Sequence, residues 1–173
     1  PGLYKWVYDL DLTSLYPSII MSINISPETK IGKLKGYSAE QHMKGNLETY
    51  SIIDDSGNEF PPLPKEKFLK FIEKNKYSVA ANGVLYRTDK VGVIPEILSV
   101  WFDKRVEYKN LMKKYGKEGN DEQYKFYGKR QLVQKIMLNS LYGVLGLPSF
   151  RFYDVDNAEA TTITGQTVIK TTE

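Results

Sequence analysis

From Pro95 onward the apolar residues change period. Ile97, Leu98, Trp101, Tyr108, Leu111 and Met112 recur at three- and four-residue steps, the spacing of one helical face. The stretch "YGKEGND" at 115–121 interrupts the pattern with two glycines and offers Asn120 or Asp121 as a helix N-cap. A second helical stretch follows over 122–142, with Gly143 placed where a helix-ending glycine is expected. Two long helices on so short a connection have one outcome, an αα-hairpin of antiparallel helices over 97–114 and 122–142.

The flanks of the hairpin read differently. Residues 3–12, "LYKWVYDLDL", alternate loosely and are rich in β-favouring side chains, which predicts a strand ending near Asp11. Directly after it, "DLTSLYPSII" turns through two hydroxyls, an aromatic and a proline. Pro17 suits the first turn of a short helix through "PSIIMSIN", broken by Ser26-Pro27-Glu28. Residues 30–62 give no element, and 64–76 is amphipathic. "YSVAANGVLYRTDKVGVIP", 77–95, reads as a β-hairpin about Asn82-Gly83. Residues 150–169 predict a strand, a turn at Asp156-Asn157 and the start of a helix. The expected class is α+β, an incomplete antiparallel sheet from which a two-helix hairpin projects.

Composition narrows the chemistry. There are no cysteines and one histidine, His42, which removes thiolate sites and disfavours a histidine triad or histidine-rich metal centre. A metal here is expected to be a hard cation on oxygen ligands. No apolar run approaches the ~18 residues of a membrane span, so no membrane partner and a cytoplasmic setting are expected. The chain opens on Pro1 rather than Met and is read as a piece of something larger. Its charge is uneven: residues 1–60 carry net −3, 61–150 net +8 and 151–173 net −2. The middle stretch therefore has an anion-facing character, or else a solvated lysine-rich face.

Placement separates those alternatives. Arg105 and Lys109 share one face of the first long helix, and Lys135, Asn139 and Tyr142 share one face of the second. With the loop centred near 118, Arg105 lies ~20 Å and Lys135 ~25 Å along their helices. Both sets then stand near the base of the hairpin, where the chain meets Asp11 and "TSLYP". One carboxylate, three cations and helix-start amides fit a metal-bound triphosphate. The plainer alternative makes the cations exposed flanks and Asp11 a turn cap.

These residues resemble family B DNA polymerases. "DLTSLYPSII" at 11–20 is similar to that family's first polymerase motif, and "KIMLNSLYG" at 135–143 to its fingers motif. "NISPET", "KRVEYKNLM" and "FRFYD" are similar to segments of the replicative polymerases of T-even-type bacteriophages. The resemblance implies a partial palm sheet in residues 1–93, with an insert at 30–76, a fingers hairpin at 94–145, and a second, incomplete palm part at 146–173. It implies that Asp11 and the Leu12 carbonyl hold the two catalytic Mg²⁺ ions. The Ser14, Leu15 and Tyr16 amides would meet the triphosphate, and the Tyr16 ring would lie under the sugar and exclude a 2′-hydroxyl. Arg105, Lys109, Lys135 and Asn139 match nucleotide-binding positions, and Tyr142 and Gly143 match contacts to the new base pair and template. Implied partners are primer-template DNA, deoxynucleoside triphosphates and, through parts beyond this chain, a sliding clamp.

The family's third motif, Tyr-Gly-Asp-Thr-Asp or a close variant, is absent from these residues. Two-metal transfer needs that second carboxylate, so the chain alone is expected to be inactive. The alternatives are a stand-alone nucleotide- or nucleic-acid-binding module without catalysis, and an interaction domain with a basic hairpin.

Overall fold

In the computed structural model, which describes residues 2, 5, 6, 12 and 14–172, helix and sheet are mixed as expected. The predicted strand over 3–12 lies almost wholly outside the described residues. Helix α1 spans Leu15–Ile23 and stops at Asn24, whose left-handed backbone (φ 66°) closes it before Ser26-Pro27-Glu28 is reached. Asn tolerates that conformation better than most residues.

Residues 30–76, unassigned from the sequence, are ordered. Strand β1 (Lys30–Leu34), helix α2 (Ala39–Met43), strands β2 (Thr49–Tyr50), β3 (Ile52–Ile53) and β4 (Leu63–Pro64) and helix α3 (Lys65–Asn75) follow in turn. Strands β5 (Tyr77–Val79) and β6 (Val84–Arg87) form the expected hairpin. Its turn differs from a two-residue Asn-Gly turn: Gly83 N–H donates to Ala80 O and Ala80 N–H to Val84 O, so Ala81 and Asn82 are the central residues and Gly83, at positive φ, follows them. The four-stranded sheet runs β3-β1-β6-β5, with every pairing antiparallel. Strands β1 and β6 are its inner pair. Val84 and Tyr86 face a core shared with Ile20, Leu98 and Leu138, while Leu85 faces a second core with Phe68 and Tyr50. Period-two alternation thus joins two hydrophobic clusters through one strand.

The helical hairpin is longer than the periodicity predicts. Helix α4 spans Val93–Lys117 and α5 spans Asp121–Leu145, each about 37 Å at 1.5 Å per residue. Asn120 is the N-cap, its side chain accepting from Gln123 N–H at 3.1 Å. Gly143 does not end α5. The helix runs through it to Gly146, because Leu145 is buried in the core and draws the chain on.

The strand expected at the start of 150–169 and the turn at Asp156-Asn157 are corrections too. Residues 150–154 form turns that pack Phe150 and Phe152 on the core, and helix α6 begins at Val155 and runs to Thr172. Asp154 sets that start, accepting from Asn157 N–H at 3.1 Å. Lys30 reaches Asp154 at 3.1 Å and Asp156 at 2.9 Å, and Lys33 reaches Asp156 at 2.7 Å. Burial works against charge on Lys30, but its bonds to Asp156 and Asp154 outweigh that and raise its pKa. Tyr86 donates to Asn157 at 2.7 Å in the same place. Sheet and α6 are therefore fastened by charge as well as apolar contact.

The base of α4 has an unusual cap. A helix starts with N–H groups that its own turns cannot satisfy. Here Val93 N–H donates to Glu28 Oε1 at 2.6 Å and Ile94 N–H to Ser26 Oγ at 3.4 Å, and Pro95 has no N–H to place. Asn24 adds three bonds, donating to Arg87 O and Lys90 O and accepting from Gly92 N–H. Gly92 is required by close approach, since a Cβ there would stand 2.7 Å from Ser26 Cβ. Burial pushes the Glu28 carboxyl up, yet the Val93 N–H and the Ser26 hydroxyl outweigh it and hold the pKa below its ordinary 4.5. Glu28→Ala is expected to cost about 1 kcal/mol at pH 7, the usual worth of a helix cap. A lowered carboxylate pKa stabilises above the unfolded value and is lost as pH falls through the folded one. Urea melts of both proteins should therefore show the difference shrinking below about pH 4.5, and a pH-independent difference would show that the charge plays no part.

Candidate functional site

Helix α1, the hairpin and α6 meet at one place, with α1 packed against α4, α5 and α6. The N-terminus of α1 is open. Ser14 precedes it in the left-handed region (φ 53°, ψ 47°), and its side chain does not cap the helix. Such a conformation in a residue other than glycine costs free energy and marks a place where surroundings over-determine the backbone. Pro17 occupies the third helical position and has no N–H, and Ser18 N–H donates to Ser14 O at 2.9 Å. The Leu15 and Tyr16 N–H groups are left as first-turn donors, without a side-chain cap among the described residues.

The hairpin supplies the facing charge. Arg105 Nη1 donates to Ser14 Oγ at 2.7 Å, across 91 residues of sequence. Its Nε is buried and has no hydrogen-bond partner among the described residues. A buried guanidinium donor without an acceptor is uncommon, because the loss of hydration goes uncompensated. One guanidinium edge thus holds the start of α1, and another N–H has no acceptor among the described residues.

The aromatic pair lies alongside. Tyr16 and Tyr142 have ring centroids 4.4 Å apart at an interplanar angle of 34°. Tyr142 is half-buried, while Tyr16 is 37% exposed. The pair bridges α1 and α5 in the way that Arg105 and Ser14 bridge α4 and the start of α1.

The remaining sequence-predicted residues stand as follows. Asp11 lies outside the described residues. Leu12 is exposed just before α1. Lys109, one turn beyond Arg105, is half-buried, and Lys135, Asn139 and Gly143 are exposed on α5. The side chains of Lys109, Lys135 and Asn139 form no hydrogen bond or ion pair among the described residues. The structure therefore brings together Ser14 with Arg105 and Tyr16 with Tyr142, and leaves the other polar groups open. Nearer the tip of the hairpin, Arg130 is engaged internally, its guanidinium 4.6 Å from the Phe126 ring centroid and 5.9 Å from that of Tyr108. Asn24 and Gly165 were not singled out from the sequence, and Ser26 and Glu28 were read only as a helix break. The role of Asn24, Ser26 and Glu28 as acceptors for the start of α4, 65 to 68 residues away, has no local signal.

Among the described residues no three His, Asp or Glu side chains gather into a metal site, and no helix is long and apolar enough to cross a membrane.

The comparisons with known proteins agree with one another. The family described as DNA polymerase family B matches the chain over residues 1–173. The DNA-directed DNA polymerases of Escherichia phage RB69 and Enterobacteria phage T4 are each 28% identical, over 98% of this chain and 22% of their own length. The DNA polymerase of Orf virus is 29% identical over 95% of this chain and 15% of its own. The structure of the family B DNA polymerase from Pyrobaculum calidifontis superposes with a TM-score of 0.62 at 24% identity, covering 93% of this chain and 16% of that one. The chain spans about a fifth of the length of the phage polymerases that it matches. With a family match along its whole length and a matching fold, the chain belongs to DNA polymerase family B.

Proposed function

We propose that this chain is the nucleotide-receiving part of a template-directed DNA polymerase, with residues 1–93 and 146–173 as palm and 94–145 as fingers. The observation that carries the reading is Arg105, bonded to Ser14 at the open start of α1 with a buried Nε that still wants an acceptor. A triphosphate supplies such acceptors, and a guanidinium fork matches phosphate geometry. The Ser14, Leu15 and Tyr16 amides add backbone donors at a helix N-terminus. Lys109, Lys135 and Asn139, whose side chains have no partner among the described residues, complete the cradle.

The orphaned Arg105 donor fits the anion that a divalent metal accompanies. Asp11 and the Leu12 carbonyl are the oxygen donors that would hold Mg²⁺, together with a carboxylate supplied from outside these residues. When bound, the metal pair neutralises charge on the attacking and leaving oxygens of the transferring phosphoryl group. The protein's own part is positioning. Arg105, Lys109 and Lys135 hold the phosphates, and the Tyr16 ring under the sugar leaves no room for a 2′-hydroxyl. Tyr142 and Gly143 border the new base pair. The substrates are deoxynucleoside triphosphates and primer-template DNA, and the setting is the cytoplasm in which that DNA is replicated. Without the third motif the 173 residues alone should fail to extend a primer with Mg²⁺ or Mn²⁺. Extension abolished by Asp11→Asn would contradict this.

Single-turnover incorporation by the polymerase carrying this segment tests the cradle. Lys135→Ala should weaken nucleotide use by roughly 1.5–3 kcal/mol, about ten- to a hundredfold or slightly more, the net worth of hydrogen bonds to charged groups. The loss should be the same for all four bases, because phosphate contacts carry no base information. Lys125→Ala, nearer the hairpin tip, should change little. Equal small losses for both variants would replace a specific phosphate site with a general basic surface.

A further inference from the structure

We propose that Gly165 is a positioning residue for Tyr16, setting how far the ring reaches beneath the sugar of an incoming nucleotide. The proposal rests on the nucleotide-site reading above. Gly165 lies in the middle of α6 and is buried. Glycine weakens a helix interior relative to alanine, so its presence there asks for a reason. The reason is space. A Cβ on Gly165 would stand 3.1 Å from Tyr16 Cε1, 3.6 Å from Tyr16 Cδ1 and 3.3 Å from Ile19 Cδ1. The ring edge therefore lies directly on the α6 backbone.

The other boundary of the ring is Tyr142, 4.4 Å away centroid to centroid. Tyr16 is seated between a helix backbone at its edge and an aromatic face, and stays 37% exposed. Helix α6 is poorly placed to yield. Ala81 N–H donates to Thr164 Oγ1 at 3.0 Å, one residue before Gly165. Buried Thr161 bonds back to Asn157 O at 3.0 Å, and the start of the helix is held through Lys30 and Asp156. An added methyl group must be met by the neighbour giving way by a few tenths of an ångström. Ile19 can turn its terminal methyl aside, but Tyr16 has only its ring to move. It moves away from α6, toward Tyr142 and the space that the sugar would take.

The test is a double-mutant cycle in the polymerase carrying this segment, with a spectroscopic reading on the chain itself. Gly165→Ala should raise the apparent Kd for every deoxynucleoside triphosphate by about three- to tenfold with little change in the incorporation rate, the lower part of the cost of forcing an added methyl into a packed site. In a Tyr16→Ala background, where the ring is absent, the same substitution should change Kd less than twofold. In ¹³C-tyrosine-labelled chain, the Tyr16 ring resonances, assigned by their loss in Tyr16→Phe, should move on Gly165→Ala. Equal Kd increases in both backgrounds would overturn the proposal, as would unmoved Tyr16 resonances. Moved resonances in a protein whose unsubstituted form incorporates no nucleotide would leave the seat standing and sink the polymerase reading instead.

Discussion

Helix α4 begins with backbone donors that no turn of its own can satisfy, and their acceptors come from residues 24–29. Glu28 takes the Val93 N–H, Ser26 takes the Ile94 N–H, and Asn24 holds Gly92 while donating to Arg87 O and Lys90 O. Because residues 24–29 follow α1 directly, the cap fixes the base of a hairpin about 37 Å long against α1, whose N-terminus has no side-chain cap among the described residues. The Arg105–Ser14 bond and the Tyr16–Tyr142 contact both depend on that seating. A loosened cap would move the cations of the hairpin relative to the donors of α1 before it unfolded anything else.

A second fastening works from the opposite side. Lys30 and Lys33 on β1 meet Asp154 and Asp156 at the start of α6, and Tyr86 donates to Asn157 behind them. Burial, helped by the nearby Asp154 and Asp156 charges, pushes the Tyr86 pKa well up, so the hydroxyl stays a donor. Removing one member of such a cluster leaves the others poorly compensated. Helix α6 is thereby held where Gly165 can receive the edge of Tyr16. The hairpin, through Tyr142, and α6, through Gly165, thus both border Tyr16.

The hairpin was legible because its apolar residues keep a helical period and Asn120 caps in the expected way. Gly143 misled because an exposed glycine near a helix end resembles a terminator, whereas the burial of Leu145 two residues later continues the helix. Phe150, Phe152 and Tyr153 look like a strand in sequence, yet the Asp154 cap starts a helix immediately after them. Residues 30–76 were opaque for a different reason. Three of their strands have two residues each, and β1 carries lysines whose partners lie more than 120 residues away. No local pattern reports such pairings. The depth of Arg105 near the hairpin base could be computed from helix rise alone. Its bond to Ser14 could not, since it depends on the cap contributed by residues 24–29. The space that Gly165 leaves for Tyr16 is likewise a tertiary fact, set by how α6 is anchored.

In the proposed function, Arg105 and the open start of α1 form one anion-receiving site. Titrating the ¹⁵N-labelled chain with a deoxynucleoside triphosphate tests it directly, because Arg105 Nε–H and the Ser14, Leu15 and Tyr16 amides each give a separate signal. These signals should shift together along one saturating curve, and Arg105→Met should remove the shifts at the α1 amides. Shifts spread instead over Lys113, Lys114 and Lys117 at the hairpin tip, with Arg105 Nε–H and the α1 amides unmoved, would contradict it.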